Sequence, residues 1–348
     1  MLKKIIVACL MLSSSHVFAQ QIDLSLIPYR QGDKWGYATP DKEVVIAPKY
    51  QEAGWFSEGL AAVKVGKKYG YINRAGRLVI PARYTVAKSF RKGYMPNSNK
   101  AGGDSIIFAG ASLTANGYEI CINSKGTRMP QCPAIGEASV EENRVPVESI
   151  TRVKTYNVPN NDGLFDKIVD DYKVEGSDET YYISQKSNQF GVFNSKFETI
   201  VPFQFDSIKI NRRSKTPFLE VSKNGRHGVV LSNGTMSIQT ENERVSSVLA
   251  NNGVDYVIVQ KDGKTYLRDL NNKEIMKQGY TDIVYDNLGG FIITGDNNLR
   301  GYYFMDAATI EPKYTEIRLV DGTRYLQIKT PAGKVGYINS AGSEYFVE

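Results

Sequence analysis

Short runs of β-branched and aromatic residues, separated by turn-forming residues, recur along most of the chain. Residues 69–81 are typical, with tyrosine, isoleucine and valine on both sides of Asn73-Arg74-Ala75-Gly76. Asparagine at the first position and glycine at the fourth favour a type I turn closed by a left-handed glycine, which joins two antiparallel strands. The turn pattern returns at Asn123-Ser-Lys-Gly126 and Asn339-Ser-Ala-Gly342. No copy carries an apolar pattern of helical period beyond a turn or two, so an all-β fold of hairpins or meanders is predicted.

An aromatic-glycine-aromatic core repeats along the chain. Its copies are Trp35-Gly36-Tyr37, Tyr69-Gly70-Tyr71, Phe190-Gly191-Val192, His227-Gly228-Val229, Arg300-Gly301-Tyr302 and Val335-Gly336-Tyr337. Successive glycines are 34, 37 and 35 residues apart within the pairs 36/70, 191/228 and 301/336. Weaker copies fall at Tyr266, at 119–123 and near Tyr156. This spacing predicts tandem units of about 35 residues.

Two further markers keep step with the glycine. An aromatic residue follows it by fourteen positions at Tyr50, Tyr84 and Phe205, and Tyr314 follows Gly301 by thirteen. Tyr280 likewise follows Tyr266 by fourteen. A proline follows the glycine by 11 or 12 positions at Pro48, Pro81, Pro202 and Pro312. We expect the glycine to let a neighbouring backbone or ring approach closely.

At these positions the sequence resembles the bacterial WG-repeat family, also called KWG repeats. The best matches are Gly32-Asp-Lys-Trp-Gly-Tyr37, residues 66–81, and Gly333-Lys-Val-Gly-Tyr-Ile-Asn-Ser-Ala-Gly342. The resemblance covers about 30–100 and 160–348 and is poor between 101 and 160. It implies an all-β tandem-repeat protein, often exported, and it carries over no catalytic residue because the family motif contains none.

A hairpin unit cannot bury its apolar face alone, so consecutive units must pack on one another. Eight or nine units could close into a propeller-like ring or form a strongly curved open β array, and both remain possible. We expect WG-type repeats over 20–133 and 161–348, forming one continuous repeat body. Residues 134–160 are expected to form an irregular insertion or joint.

The N-terminal residues have the three parts of a secretory signal peptide. Lys3-Lys4 precede the apolar run Ile5–Leu12, and small residues lead to a cleavage site after Ala19. A lipoprotein cut at Cys9 is the alternative, disfavoured because almost no apolar segment would precede the cut. No other stretch is apolar enough for a transmembrane segment. The expected location is periplasmic or secreted.

Composition restricts the chemistry. Removing 19 of the 348 residues leaves 329, and losing Lys3 and Lys4 lowers the formal net charge from +6 to +4. One histidine, His227, then remains, so a multi-histidine metal site or a Cys/His zinc site is excluded, and neither metal nor cofactor is expected. His227 stands in the aromatic slot of its copy, which favours packing over catalysis.

The two remaining cysteines are Cys121 and Cys132, on either side of a predicted turn. In an oxidising compartment an even pair favours a structural disulfide, with two buried free thiols as the alternative.

Charged groups give no strong signal. The densest basic group is Arg212-Arg213 with Lys209 and Lys215, which is more typical of a solvated loop than of a nucleic-acid site, so no nucleic acid is expected. The acid pairs Glu141-Glu142 and Asp170-Asp171 point to opposite faces if they lie in strands, and solvation is the simpler interpretation. The sequence 296–301 lacks the residues of a calcium loop.

Aromatic residues are plentiful, with 22 Tyr, 14 Phe and 2 Trp. Trp55, Phe56, Phe90 and Tyr94 lie in connecting segments and are candidates for an exposed binding platform. Alternatively, they seal the core of the next copy.

Two functions fit the sequence. The favoured one is an exported, non-enzymatic interaction module that presents a repeated β surface to a protein or an envelope polysaccharide. The alternative is an acid-based, glycan-active hydrolase with its site at the centre of a β ring, which requires three or more acids converging in one pocket.

Overall fold

The structure is a computed structural model that describes residues 22–95, 105–114, 117–134, 156, 158, 163–214 and 217–347. Every regular element in these ranges is a β-strand, which confirms the all-β prediction. The predicted signal segment 1–19 and most of the predicted joint 134–160 lie outside the described residues, so the predicted domain boundaries stay a prediction. The chain divides into two compact units, Met1–Glu148 with Glu344–Glu348, and Ser149–Ser343.

The first unit contains three sheets of the eight that the described strands form. The first has the order β3-β2-β1-β30, with β1 Ile27–Gln31, β2 Lys34–Ala38, β3 Val44–Tyr50 and β30 Phe346–Val347. The second comprises β4 Glu52–Ala53, β5 Leu60–Val65, β6 Lys68–Asn73 and β7 Leu78–Tyr84 in chain order. In the third, β10 Ser105–Ser112 pairs with β8 Val86–Ala87, β9 Arg91–Tyr94 and β11 Ile120–Asn123. Strand β30 runs parallel to β1, and the other paired strands of this unit are antiparallel.

The second unit contains five antiparallel sheets, each with its strands in chain order. The first two comprise β12 Lys167–Lys173, β13 Thr180–Lys186, β14 Gln189–Asn194 and β15 Thr199–Phe205, then β16 Ser207–Asn211, β17 Phe218–Lys223, β18 Arg226–Leu231 and β19 Met236–Asn242. The third comprises β20 Arg244–Leu249, β21 Asp255–Lys261 and β22 Lys264–Asp269. The last two comprise β23 Asp282–Tyr285, β24 Gly290–Thr294, β25 Arg300–Phe304 and β26 Thr309–Tyr314, then β27 Glu316–Leu319, β28 Tyr325–Lys329 and β29 Val335–Asn339.

The predicted asparagine-to-glycine turns are present. Asn73 Oδ1 accepts hydrogen bonds from the backbone N–H groups of Ala75 and Arg77, each at 3.1 Å. Gly76 closes the turn with a φ of 72°, in the left-handed region that costs glycine least. Gly126 and Gly342 close their turns in the same way, with φ of 79° and 84°.

In four copies the residue before the glycine lies opposite the later aromatic marker on the adjacent strand. Trp35 on β2 pairs with Tyr50 on β3, whereas Tyr37 pairs with Ile46, so β3 carries extra residues around its proline. This β-bulge recurs at Tyr69/Tyr84, Phe190/Phe205, His227/Asn242 and Arg300/Tyr314. The constant sequence spacing of the markers therefore follows from the way the two strands pair.

The repeat glycine makes this bulge possible. A Cβ on Gly36 would lie 2.1 Å from the carbonyl oxygen of Ile46, and one on Gly70 would lie 2.6 Å from that of Ile80. The same approach occurs at Gly191, Gly228 and Gly301, with distances of 2.8, 2.4 and 2.2 Å. The predicted close approach of backbone is confirmed at these five positions. The glycine of the last copy, Gly336, is buried in β29.

The residue after the glycine joins its sheet to the next copy. Tyr37 and Tyr71 are fully buried, and their hydroxyls donate to the carbonyl oxygens of Gly54 at 2.8 Å and Lys88 at 2.9 Å. In both cases the acceptor lies 17 residues further along the chain. The core therefore extends between consecutive copies, as tandem repeats require.

Candidate functional site

The four residues of the predicted aromatic platform lie mostly in the core. Trp55 is 7% exposed, and Phe56 and Phe90 have no exposed surface, so the prediction of an exposed platform is wrong for these three. The reason is that both phenylalanines pack on a buried tyrosine. The ring centroid of Phe56 lies 4.8 Å from that of Tyr37, and the ring centroid of Phe90 lies 4.8 Å from that of Tyr71. They seal the core between copies, which was the alternative interpretation. Tyr94 is half-buried, and its backbone exchanges hydrogen bonds with Ala134.

The remaining single-residue predictions lie away from any concave site. The sulfur atoms of Cys121 and Cys132 lie at bonding distance, 2.01 Å, with Cα atoms 5.3 Å apart, and a disulfide there stays a prediction. His227 is half-buried on β18, in the aromatic slot opposite Asn242. In the described ranges, no group of three or more His, Cys, Asp or Glu side chains could hold a metal ion.

The second unit contains a cleft of about 1290 Å³. Most of its wall comes from the first strands of three consecutive sheets, β16, β20 and β23. All residues of Arg244–Leu249 line it, as do Lys209–Arg213 and Thr281–Tyr285. Side chains of a strand alternate between two faces, so consecutive lining residues mean that each strand turns its edge to the cleft.

These edges have no strand partner in the described part of the chain. Strands β16, β20 and β23 each end their sheet, with β17, β21 and β24 on the inner side. An edge strand leaves alternate backbone N–H and C=O groups unpaired on its outer side. The cleft therefore combines side chains with a row of backbone donors and acceptors.

A chain of polar side chains fixes one wall. The Asn211 amide donates to the Ser247 hydroxyl at 2.6 Å, and that hydroxyl donates to Glu220 Oε1 at 2.7 Å. The three residues come from β16, β20 and β17, so the network ties two sheets together. It also uses one carboxylate oxygen of Glu220 within the protein.

The cleft carries more cationic than anionic side chains. Lys209, Arg213 and Arg244 are exposed, and none forms an ion pair with a described residue. Arg212 differs, because it donates to Asp170 Oδ1 at 2.7 Å and to the carbonyl oxygen of Asp171 at 2.8 Å. This arginine is exposed, as expected of a solvated loop, and is also ion-paired.

The acid pair is engaged in the same way. Asp170 and Asp171 are both half-buried, and Asp171 Oδ1 accepts a hydrogen bond from the Tyr156 hydroxyl at 3.0 Å. Both residues are therefore partly solvated and are also held by partners that are distant in sequence.

The acids that line the cleft are Glu220 and Asp282. A third acid, Asp286, stands between the lining residues Tyr285 and Asn287 but serves the β23–β24 turn. Its Oδ1 accepts from the backbone N–H groups of Leu288, Gly289 and Gly290, and its Oδ2 accepts from the Tyr302 hydroxyl at 2.5 Å. Burial, together with the hydrogen bond to Asp286, raises the pKa of Tyr302. Asp286 is thereby a structural group.

One feature of the sequence marks the strands that line the cleft. Each lining strand starts within two residues of the second repeat marker or its equivalent, as in Phe205-Asp206 before β16 and Tyr280-Thr281 before β23. The signal locates the strands, whereas their convergence depends on how successive sheets pack. Among the described residues, no helix is long and apolar enough to cross a membrane.

Comparison with known proteins identifies the repeat. A family model described as "WG containing repeat" matches residues 35–69, 69–96 and 190–225. No curated protein matches the sequence.

Similar solved structures are distant. One is Kluyveromyces lactis Hsv2, at 10% identity and a TM-score of 0.25, over 51% of this chain and 62% of that one. Others are the dihydro-heme d1 dehydrogenase NirN in complex with DHE (11%, TM-score 0.29, 94% and 73%) and a Bacteroides caccae protein of unknown function (12%, TM-score 0.22, 91% and 90%). The chain thus spans about three fifths of the length of that Hsv2. Likeness at such scores carries no argument about this chain, so the resemblance rests on the three matched segments, which are WG-type repeats.

Proposed function

We propose that this chain is an exported, non-enzymatic interaction module that presents its repeated β surface to a protein or a cell-envelope polysaccharide. The cleft edged by β16, β20 and β23 is the binding site. The observation that carries the proposal is that three consecutive sheets turn strand edges without a partner among the described residues to one cleft. Three cations on two of these sheets, Lys209, Arg213 and Arg244, form no ion pair with a described residue there.

The size of the cleft supports a large ligand. Pockets for small molecules and cofactors measure about 300–1000 Å³, below the 1290 Å³ of this cleft. A segment of a polymer fits such a space better than a metabolite does. The fixed network of Asn211, Ser247 and Glu220 offers preformed hydrogen-bonding groups, which lowers the entropy cost of binding.

A glycan-active hydrolase remains the alternative. From the sequence, three or more converging acids are expected for it, and the chemistry itself uses a pair of carboxyl groups, one of them protonated near neutral pH. The two lining acids, Glu220 and Asp282, are the groups on which such chemistry would depend. Glu220 accepts a hydrogen bond from Ser247, so one of its carboxylate oxygens is already used within the protein.

The test uses the full mature chain, immobilised, and two fractions of the cell envelope: protein freed of polysaccharide, and polysaccharide freed of protein. The wild type should retain material that a Lys209→Gln/Arg213→Gln/Arg244→Gln variant releases. Lys277→Gln removes an exposed cation outside the cleft and should change nothing. Equal retention by all three proteins would overturn the assignment of the cleft. New reducing ends in the polysaccharide would favour the hydrolase.

The arrangement of the repeats as a propeller-like or strongly curved open β array is also a proposal. The eight sheets of the described strands agree with the eight or nine units expected from the repeat. Small-angle scattering of the mature chain would separate a closed ring from an open array.

A further inference from the structure

We infer that the ligand of the cleft is an acidic, extended peptide segment of a partner protein, bound along the edge of β20. The inference rests on the proposed function and selects one of its two partner classes. It follows from three properties of the cleft: its unpaired strand edges, its charge, and its single aromatic side chain.

The strand edges favour a peptide. Strand β20 lies in chain order between β16 and β23, and all six of its residues line the cleft. A peptide in extended conformation pairs its own N–H and C=O groups with those of such an edge, which gives affinity with little dependence on sequence. A polysaccharide has no regular row of amide donors and acceptors to match it.

The side chains around this edge alternate in a way that an extended peptide can use. Because side chains alternate along β20, Val245 and Ser247 lie on one face of the strand and Ser246 and Val248 on the other. An extended ligand would therefore meet both an apolar and a polar side chain on each face, and the exposed Val284 on β23 adds apolar contact.

The charge selects an acidic sequence. Lys209, Arg213 and Arg244 form no ion pair with a described residue, and Glu220 already accepts from Ser247. Carboxylates on the ligand could therefore pair with these three cations without breaking an ion pair to a described residue. Such complementarity raises the association rate and rejects basic sequences.

The aromatic content disfavours a sugar. Tyr285 is the one aromatic residue among those that line the cleft, and its ring centroid lies 5.2 Å from that of Phe291. Its hydroxyl also accepts the backbone N–H of Asn251 at 3.0 Å. Sugar rings bind by stacking their C–H faces on exposed aromatic rings, and this ring is already packed and hydrogen-bonded.

The experiment is a selection from a display library of random peptides of about ten residues, since six residues of strand span about 20 Å. The bait is the full mature chain, as wild type, as the Lys209→Gln/Arg213→Gln/Arg244→Gln variant, and as the Lys277→Gln control. The three cleft cations are exposed, so the variant should fold, which far-ultraviolet circular dichroism checks. We expect wild type and control to enrich peptides in which Asp or Glu alternates with β-branched residues. The triple variant should bind these peptides about tenfold more weakly.

Two further probes separate the possible failures. Two N-methylated versions of a selected peptide are compared, one methylated at the odd-numbered residues and one at the even-numbered residues. The version that blocks the N–H groups facing β20 should not bind, whereas the other version should bind. Oligogalacturonate serves as the acidic sugar probe. If it binds through the three cations and no acidic peptide does, the peptide inference is wrong while the proposed function stands. Enrichment of neutral or basic peptides would also overturn the inference, and binding of neither probe class would count against the proposed function itself.

Discussion

Gly36 lies so close to the carbonyl oxygen of Ile46 that a Cβ at residue 36 would come within 2.1 Å of it. The obstacle is backbone of the facing strand, which cannot move away as a flexible side chain could. We therefore expect Gly36→Ala to lower the free energy of unfolding by about 1–3 kcal/mol, the range typical of overpacking. Urea unfolding followed by tryptophan fluorescence measures it.

Gly54→Ala is the matched control, because a Cβ there would meet its nearest neighbour, the carbonyl oxygen of Ala62, at an ordinary 3.5 Å. This variant should lose much less stability. Equal stability of Gly36→Ala and the wild type would show that the close approach is not needed for the bulge.

Phe90 should behave as a core residue. Its ring has no exposed surface and packs on Tyr71, so Phe90→Ala is expected to cost about 3–5 kcal/mol. Tyr118→Ala, at a ring that is 97% exposed, should be neutral within about 0.5 kcal/mol. Thermal unfolding of the two variants beside the wild type tests the contrast, and a neutral Phe90→Ala would restore the surface role expected from the sequence.

The features that could be predicted from the sequence are the ones set by short segments. The Asn73-to-Gly76 turn follows from local hydrogen bonding and a left-handed glycine, both visible in four residues. The sequence shows a constant spacing between the aromatic markers, as between Trp35 and Tyr50, but not that the two residues pair. The spacing is constant because strand register fixes how far apart in sequence two paired residues of one hairpin lie.

The features that could not be predicted depend on neighbouring sheets. Phe56 lies in a connecting segment, and only its packing on Tyr37 of the preceding sheet shows that it is buried. The cleft was missed for a similar reason. Lys209 and Arg244 lie 35 positions apart in the sequence, on the first strands of consecutive sheets, and no local pattern indicates that both face one space.

Cys121 and Cys132 should be disulfide-bonded when the chain is in an oxidising compartment. The bond would close a loop whose ends are 11 residues apart, which stabilises the fold by about 3 kcal/mol in the chain-entropy estimate. Dithiothreitol should lower the urea midpoint of the wild type and leave a Cys121→Ala/Cys132→Ala variant unchanged. Two alkylatable thiols in protein purified without reductant would contradict this prediction.

Export should remove the first 19 residues. The apolar run Ile5–Leu12 after Lys3-Lys4 is expected to direct the chain out of the cytoplasm, and the mature protein should begin at Gln20. Mass spectrometry of the protein from a periplasmic or culture fraction measures its N-terminus. A full-length chain that starts at Met1 and stays in the cytoplasmic fraction would contradict both the cleavage and the location.

The central claim is that the cleft binds a partner, and photo-crosslinking in living cells tests it most directly. A benzophenone amino acid replaces Val284, a cleft residue that is 50% exposed, or Phe197, which is 45% exposed and outside the cleft. Benzophenone inserts into C–H bonds of peptides and sugars alike, so either partner class would be captured. We predict a discrete adduct from position 284 that disappears with the Lys209→Gln/Arg213→Gln/Arg244→Gln substitutions, and none from position 197. The same adducts from both positions, or none from position 284, would contradict the account.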